Sequence, residues 1–274
     1  MVARLRATHR PDLADPLAEC STRWTIRECQ GCRSTVSFLN HCDRFYCPMC
    51  QPRLAKLRRQ AIEWWAHTIP QPKHVVLTTR NTETITAAHL AAIKSAFARL
   101  RRSKFAANWR GGCWALEVTN EGRGWHLHIH ALVDAKWIDA GQLAREWAKR
   151  VGQDFAIVKV RDCRGTEFLK EVTKYTVKGN DLANWSGSDL AAFVDAFAAG
   201  RNFGTFGTLY RRNAEWRQWL AAAEANYTAC PCGCTDFRYF TPDEWEWEMI
   251  RRETGPPARV PAPINPQLLF AGLP

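Results

Sequence analysis

Trp125-His126-Leu127-His128-Ile129-His130-Ala131 alternates three imidazoles with apolar side chains. In a β-strand successive side chains point to opposite faces, so His126, His128 and His130 would all project on one side. Imidazole is the commonest protein metal ligand, and histidines at i and i+2 of a strand can hold one divalent ion. Three of the chain's 8 histidines fall within these five positions, which favours a metal site over a half-buried strand that merely carries histidine on its polar face. A second stretch, Glu171-Val172-Thr173-Lys174-Tyr175-Thr176-Val177-Lys178-Gly179, reads as helix. Thr166 is a plausible N-cap and Gly179 a plausible C-cap. Glu171, Tyr175 and Lys178 then share one face at i, i+4 and i+7. A tyrosine beside a lysine and a carboxylate can act as a nucleophile. Phe168, Val172 and Tyr175 equally make a core stripe, so this helix admits both readings.

Cysteine supplies the third constellation. Residues 20–50 hold six of the chain's 11 cysteines, and in a reducing compartment they argue for metal rather than disulfides. Cys29-x-x-Cys32 and Cys47-x-x-Cys50 lie fourteen residues apart, close to the spacing of a four-cysteine structural zinc site. Cys42, Cys20 and His41 are surplus candidates, and Cys42 could replace one of the four. Cys230-Pro231-Cys232-Gly233-Cys234 resembles half of a second metal site with no obvious partner downstream.

The bulk composition bounds what these groups can serve. A chain of 274 residues that is 46% hydrophobic and 24% charged can bury a full core. A net charge of +11 points to a polyanionic partner, nucleic acid before a membrane surface. No apolar run is long enough to span a bilayer, and no hydrophobic signal core follows Met1, so a cytoplasmic protein is expected. Three segments follow: a zinc-binding, basic DNA-contacting module at 1–66, a catalytic domain at 67–215, and a C-terminal extension at 216–274 with the second cysteine cluster and a Pro-rich tail. The first carries 11 Lys/Arg against 6 Asp/Glu. Arg53, Lys56, Arg58 and Arg59 on its basic helix are the candidate phosphate contacts.

The middle segment orders as strand 74–79, helix 87–102, strands 113–119 and 125–133, helix 138–151, strand 155–160 and helix 166–178. Asn120-Glu121-Gly122-Arg123-Gly124 is the hairpin signal between the two central strands. This order begins as a ferredoxin-like unit, an α+β fold with an antiparallel sheet and helices on one face. A hairpin turning about residues 122 and 123 pairs Glu117 opposite His128 and gives the two a common face. Glu117 is then a candidate third ligand beside His128 and His130, although a slip of one residue would turn it away.

Assembled, these residues resemble the HUH endonucleases, and more narrowly the rolling-circle replication initiator (Rep) proteins of small plasmids and phages. Val76-Leu77-Thr78-Thr79, His128-Ile129-His130 and Tyr175-x-x-Lys178 stand in that family's motif order, and Cys42 to Cys50 is similar to the cysteine-rich leader of several such initiators. The resemblance implies an HUH nuclease fold in which His128, His130 and Glu117 hold Mg2+ or Mn2+ against the scissile phosphate. It implies that Tyr175 attacks to leave a 5′-phosphotyrosine, that Lys178 orients substrate or lowers the cost of tyrosinate, and that Glu171 activates water for termination. His126 departs from the pattern, being followed by Leu127 rather than proline, which leaves its role open.

The implied partners are single-stranded DNA at an origin, a host helicase and host replication proteins, since the chain has no Gly-x-x-x-x-Gly-Lys phosphate loop of its own. The same nicking chemistry would serve a transposase of the superfamily. Two readings differ in kind: a non-catalytic zinc protein that binds single strands, and a hydrolytic metallonuclease whose tyrosine is idle.

Overall fold

The central hairpin forms because two apolar-alternating runs flank a turn rich in residues that tolerate left-handed backbone. β4 (Gly111–Asn120) and β5 (Trp125–Asp134) pair antiparallel over their full length. Gly122 and Gly124 turn the chain between them with φ of 82° and 88°. In this computed structural model, residues 1–163, 182, 184–198, 201–212, 214–215, 218 and 230–252 are described, and the side chains of residues 54, 57, 58 and 61 are not. The Tyr175 helix and the Pro-rich tail therefore lie outside the described residues.

β3 (Pro72–Thr78) pairs with the other edge of β5, and β6 (Val158–Asp162) with the far edge of β3. β7 (Phe203–Phe206) closes the side beyond β4. The result is a five-stranded antiparallel sheet in the order β6-β3-β5-β4-β7. One face packs under α4 (Ala87–Arg101) and α5 (Ala140–Val151). Val75, Leu77, Leu116, Val118, Leu127, Ile129 and Ala131 are all buried, and alternation puts them on this helix-covered side. Each helix starts where its side chains dictate: the Thr86 hydroxyl accepts from His89 N, and the Asp139 carboxylate from Gln142 N. Gly152 ends α5 in the left-handed region.

On the opposite face, among the described residues, one helix packs over part of the sheet. α3 (Gln51–Ala66) lays Ile62, Trp65 and Ala66 against Cys113 and Leu132, with Cys163 and Leu209 completing the cluster. Burial pushes the Cys113 and Cys163 thiols up to about 12, so both serve as apolar core rather than as ligands. This anchoring makes the basic helix part of the larger body.

A smaller unit is built on a second sheet. β1 (Trp24–Cys29) pairs on one side with β2 (Thr35–Leu39) and on the other with β8 (Phe237–Phe240), all antiparallel. α1 (Val2–Ala7) and α2 (Pro11–Ala18) precede this sheet in the chain. α6 (Gly187–Ala198) and α7 (Gly207–Arg211) belong to the larger body, and α8 (Pro242–Arg251) follows β8. Contacts accordingly divide the chain into Met1–Leu17 with Asp43–Leu220, and Ala18–Cys42 with Ala221–Pro274. The expected cuts at 66 and 216 follow composition. The observed ones follow strand pairing, which joins residues 24–39 to residues 237–240. The architecture is α+β with antiparallel sheets and helices. Among the described residues no helix is long and apolar enough to cross a membrane.

In the smaller unit the buried Glu28 carboxylate receives both guanidinium nitrogens of Arg252, at 2.5 and 2.9 Å, and lies 3.3 Å from Arg33. The Arg252 hydrogen bonds hold the Glu28 carboxyl below its ordinary pKa of 4.5. A depressed carboxylate contributes stability that is present above its unfolded pKa and lost as pH falls through the folded one. Arg252→Ala is expected to leave this buried charge with only the longer Arg33 contact and to cost about 3 kcal/mol in urea denaturation at pH 7. The loss should shrink on acidification, once Glu28 is protonated in both proteins.

Candidate functional site

The part of the sheet face that α3 leaves uncovered is polar. Alternation along β5 places His126, His128 and His130 there, and along β4 it places Glu117 and Thr119. The register pairs Glu117 with His128 and Thr119 with His126. β3 contributes His74, Val76 and Thr78, and β6 contributes Lys159 and Arg161 on the same side. These residues, with Arg123 and Glu121 from the hairpin end, line a cleft of about 660 Å³.

Its floor is a chain of buried polar groups. His130 Nε2 lies 2.6 Å from Glu117 Oε2, and His130 Nδ1 lies 3.2 Å from His74 Nε2. Both contacts run diagonally across neighbouring strands, within reach of long side chains on one face. His74 and Glu117 are almost fully buried, so each needs the partner it has. The His74 and His130 rings are stacked at 5.5 Å. His128 stands further out, its ring 6.1 Å from that of His130 and 3.9 Å from that of His126. Burial lowers the His126 imidazole below its ordinary 6.5, which keeps its lone pair available at neutral pH.

Glu117 and His130 present a carboxylate oxygen and an imidazole nitrogen at one point, with the second nitrogen of His130 fixed from behind. That donor set suits a divalent cation with open positions. Among the described residues only cysteines form groups of three or more ligand atoms within 4.8 Å of one another. Bringing His128 into a set with His130 and Glu117 therefore requires its ring to turn toward them. Lys159, Arg161 and Arg123 supply positive charge at the walls, as a phosphate-bearing ligand needs.

The hairpin end is held in place. Trp125 and Thr82 exchange backbone hydrogen bonds of 2.7 and 2.9 Å, and Trp125 packs edge-on against Trp185 at 4.9 Å. The Trp185 indole donates to Asn120 O at 3.1 Å. Gly124 is required here, since a Cβ would stand 2.7 Å from Thr82 O on a backbone with φ 88°.

Of the residues singled out from sequence, His128, His130 and Glu117 come to one cleft. Tyr175, Lys178 and Glu171 lie outside the described residues. On α3, Arg53 pairs with Asp43 and Arg59 with Glu63 at 2.6 Å, Lys56 sits between them in sequence, and the Arg58 side chain is not described. His74, Lys159 and Arg161 were not singled out. Period-two alternation marks them as facing one way, but only the pairing Val76↔His130 and Val76↔Lys159 reveals which way.

The structure groups the cysteines differently from their spacing in sequence. Cys29 and Cys32 do not find Cys47 and Cys50. They meet Cys230 and Cys232, all four sulfurs within 4.8 Å of one another. The cause is the β1–β8 pairing, whose register Cys29↔Phe237 draws the 230–234 turn to the Cys29–Cys32 loop. Cys20, Cys47 and Cys50 are buried and Cys42 is half-buried. A cysteine group of this kind could hold a zinc ion.

Fold and site define an α+β protein with an antiparallel sheet, one face of which carries a cleft lined by histidine, carboxylate and cationic side chains. The family model of the replication proteins, Rep_1, matches residues 34–226, and the chain belongs to that family. This membership is consistent with a rolling-circle replication initiator, which implies binding to DNA at an origin. No curated protein and no solved structure matches the chain.

Gly124→Ala is expected to lower stability by about 1–3 kcal/mol, measured by thermal or urea unfolding, because strand and hairpin backbone must separate to admit the methyl group.

Proposed function

We propose that the chain initiates rolling-circle replication by nicking and rejoining single-stranded DNA at an origin through a phosphotyrosine intermediate. The observation that carries this reading is the convergence of His128, His130 and Glu117 on one sheet face inside a cleft walled by Lys159, Arg161 and Arg123. Family membership supports the initiator role, and the sequence around Tyr175 supports the nucleophile.

When bound, Mg2+ or Mn2+ would supply Lewis acidity at the scissile phosphate, with His128, His130 and Glu117 as its protein ligands. The chain's own groups do the rest. Arg161, Lys159 and Arg123 draw the phosphate backbone into the cleft. His74 fixes the ring orientation of His130 from the buried side, so that Nε2 faces the cleft. Tyr175 attacks phosphorus, the P–O3′ bond breaks as the P–O bond to tyrosine forms, and the 3′ oxygen leaves as a hydroxyl. Lys178 lowers the cost of tyrosinate, whose unperturbed pKa is about 10. Because the phosphodiester's energy stays in the tyrosine ester, the 3′-hydroxyl can reverse the step without ATP. Glu171, one helical turn before Tyr175, would activate water when the round ends. Arg53, Lys56, Arg58 and Arg59 on α3 add phosphate contacts. The ion pairs of Arg53 and Arg59 are solvent-exposed, and exposed pairs exchange cheaply for phosphate. The domain that does this chemistry corresponds to residues 67–215, with a helicase and replication proteins supplied by the host.

The test is cleavage of single-stranded origin oligonucleotides with Mn2+, resolved on denaturing gels. A protein–DNA adduct that requires metal and vanishes in Tyr175→Phe is the expected result. Cutting that persists in Tyr175→Phe would instead identify a metallonuclease, and binding without cutting a non-catalytic single-strand binder. His74→Leu is expected to leave the fold intact and to weaken apparent Mn2+ affinity about 10-fold or more, read from the metal dependence of nicking. An unchanged metal dependence would remove His74 from its positioning role.

A further inference from the structure

Among its described residues, the smaller unit buries little apolar surface. Its buried apolar residues, among those described, are Cys20, Cys29, Cys230 and Phe240. Three strands of 4 to 6 residues with so small a core fall below what hydrophobic packing sustains, and units of this size rely on disulfides or metal. None of Cys29, Cys32, Cys230 and Cys232 is in a disulfide.

We propose that Cys29, Cys32, Cys230 and Cys232 bind one zinc ion that fastens the C-terminal strand β8 to the N-terminal hairpin β1–β2. The sulfurs are spaced for it: Cys29 to Cys232 is 3.6 Å and Cys32 to Cys230 is 3.3 Å. Thiolates on a tetrahedral zinc at about 2.3 Å stand roughly 3.8 Å apart, whereas a disulfide needs about 2.05 Å. The two halves of the site are built alike. In each, the residue after the second cysteine takes the left-handed conformation, Arg33 at φ 61° and Gly233 at φ 80°. In each, a backbone N–H closes a turn onto the carbonyl of the first cysteine, Arg33 N to Cys29 O at 2.9 Å and Gly233 N to Cys230 O at 2.8 Å. The turns approach so closely that a Cβ on Gly31 would stand 3.1 Å from Cys234 Cβ. Ser34 Oγ lies 3.1 Å from Cys32 Sγ and 3.2 Å from Cys230 Sγ, placed to donate to a coordinated thiolate. Cys234 has its own engagement, receiving Asp236 N at 3.4 Å, and is left outside the set.

Four thiolates in a tetrahedron select zinc or iron and exclude hard cations. The site differs from the expected one in its second pair, and it links residues about 200 positions apart, where two knuckles close in sequence would only brace the N-terminal segment.

The experiment uses the full-length protein. Zinc and iron per chain are measured by elemental analysis in wild type, in Cys230→Ser/Cys232→Ser and in Cys234→Ser. The double variant is expected to lose one equivalent of zinc relative to wild type, and Cys234→Ser none. An unchanged zinc content in the double variant overturns the proposal, as does iron in place of zinc. Loss of zinc in Cys234→Ser would overturn the ligand set. Cys232→His guards against simple misfolding, because histidine keeps a ligand in place. It should retain zinc and, after cobalt substitution, show weaker sulfur-to-metal charge transfer and a shifted visible spectrum. A wild-type cobalt spectrum from that variant would exclude Cys232. None of these readouts depends on nicking, so the zinc site and the proposed activity fail separately.

Discussion

The pleat of the β-strand is the constraint from which the rest of the larger body follows. Each central strand must give one face to α4 and α5 and the other to the cleft, and the period of two decides which residue goes where. Leu116, Val118, Leu127 and Ile129 are buried between sheet and helices. A slip of one residue between β4 and β5 would leave Glu117 no longer opposite His128, and turning either strand over would drive a carboxylate or an imidazole into the apolar layer. Hydrophobic burial on the helix side thus fixes the register on the cleft side. The geometry of the polar groups is inherited from the packing of apolar residues that never touch them.

The cleft then carries an electrostatic tension of its own. The chain is strongly basic, and Lys159, Arg161 and Arg123 face the cleft, yet its floor holds a buried carboxylate. A groove built only to grip phosphate would gain nothing from Glu117, which repels the same ligand its neighbours attract. The contradiction dissolves if a cation lies between carboxylate and phosphate, since one divalent charge then satisfies both. His74 fits the same logic. A buried imidazole spent on orienting another imidazole contributes little to packing that an apolar residue could not, but it fixes which nitrogen of His130 faces outward.

Much of this was legible in the residues because local patterns carried it. The Asn120–Gly124 turn, the alternating histidines and the apolar spacing of Leu90, Ile93, Phe97 and Leu100 each mark their element within a few positions. The turn even sets the Glu117–His128 pairing, since hairpin register is local. Pairings between strands distant in sequence were not legible. Nothing near His74 announces that β3 lies against β5, so its contact with His130 was invisible. The grouping of the cysteine sulfurs was invisible for the same reason. Spacing rules join the nearest Cys-x-x-Cys pairs, and Cys29 and Cys32 have a nearer pair at Cys47 and Cys50 than the one they meet.

That grouping points to how the chain is organised. The chain runs from the first unit into the second, back to the first and again into the second, with breaks at Leu17, Cys42 and Leu220. A unit assembled from two remote stretches pays the full entropy of closing the intervening chain, and that cost grows only logarithmically with loop length. Closing some 200 residues is therefore little harder than closing fifty, provided a few strong bonds wait at the end. Short strands with one buried phenylalanine cannot supply them, whereas the Glu28–Arg252 pair and four converging sulfurs can. Long closure and the small core among the described residues fit a smaller unit in which charge pairing and a sulfur-bound ion would do what burial does in the larger one. Its integrity should then respond to pH, chelators and oxidants under conditions that leave the five-stranded sheet untouched.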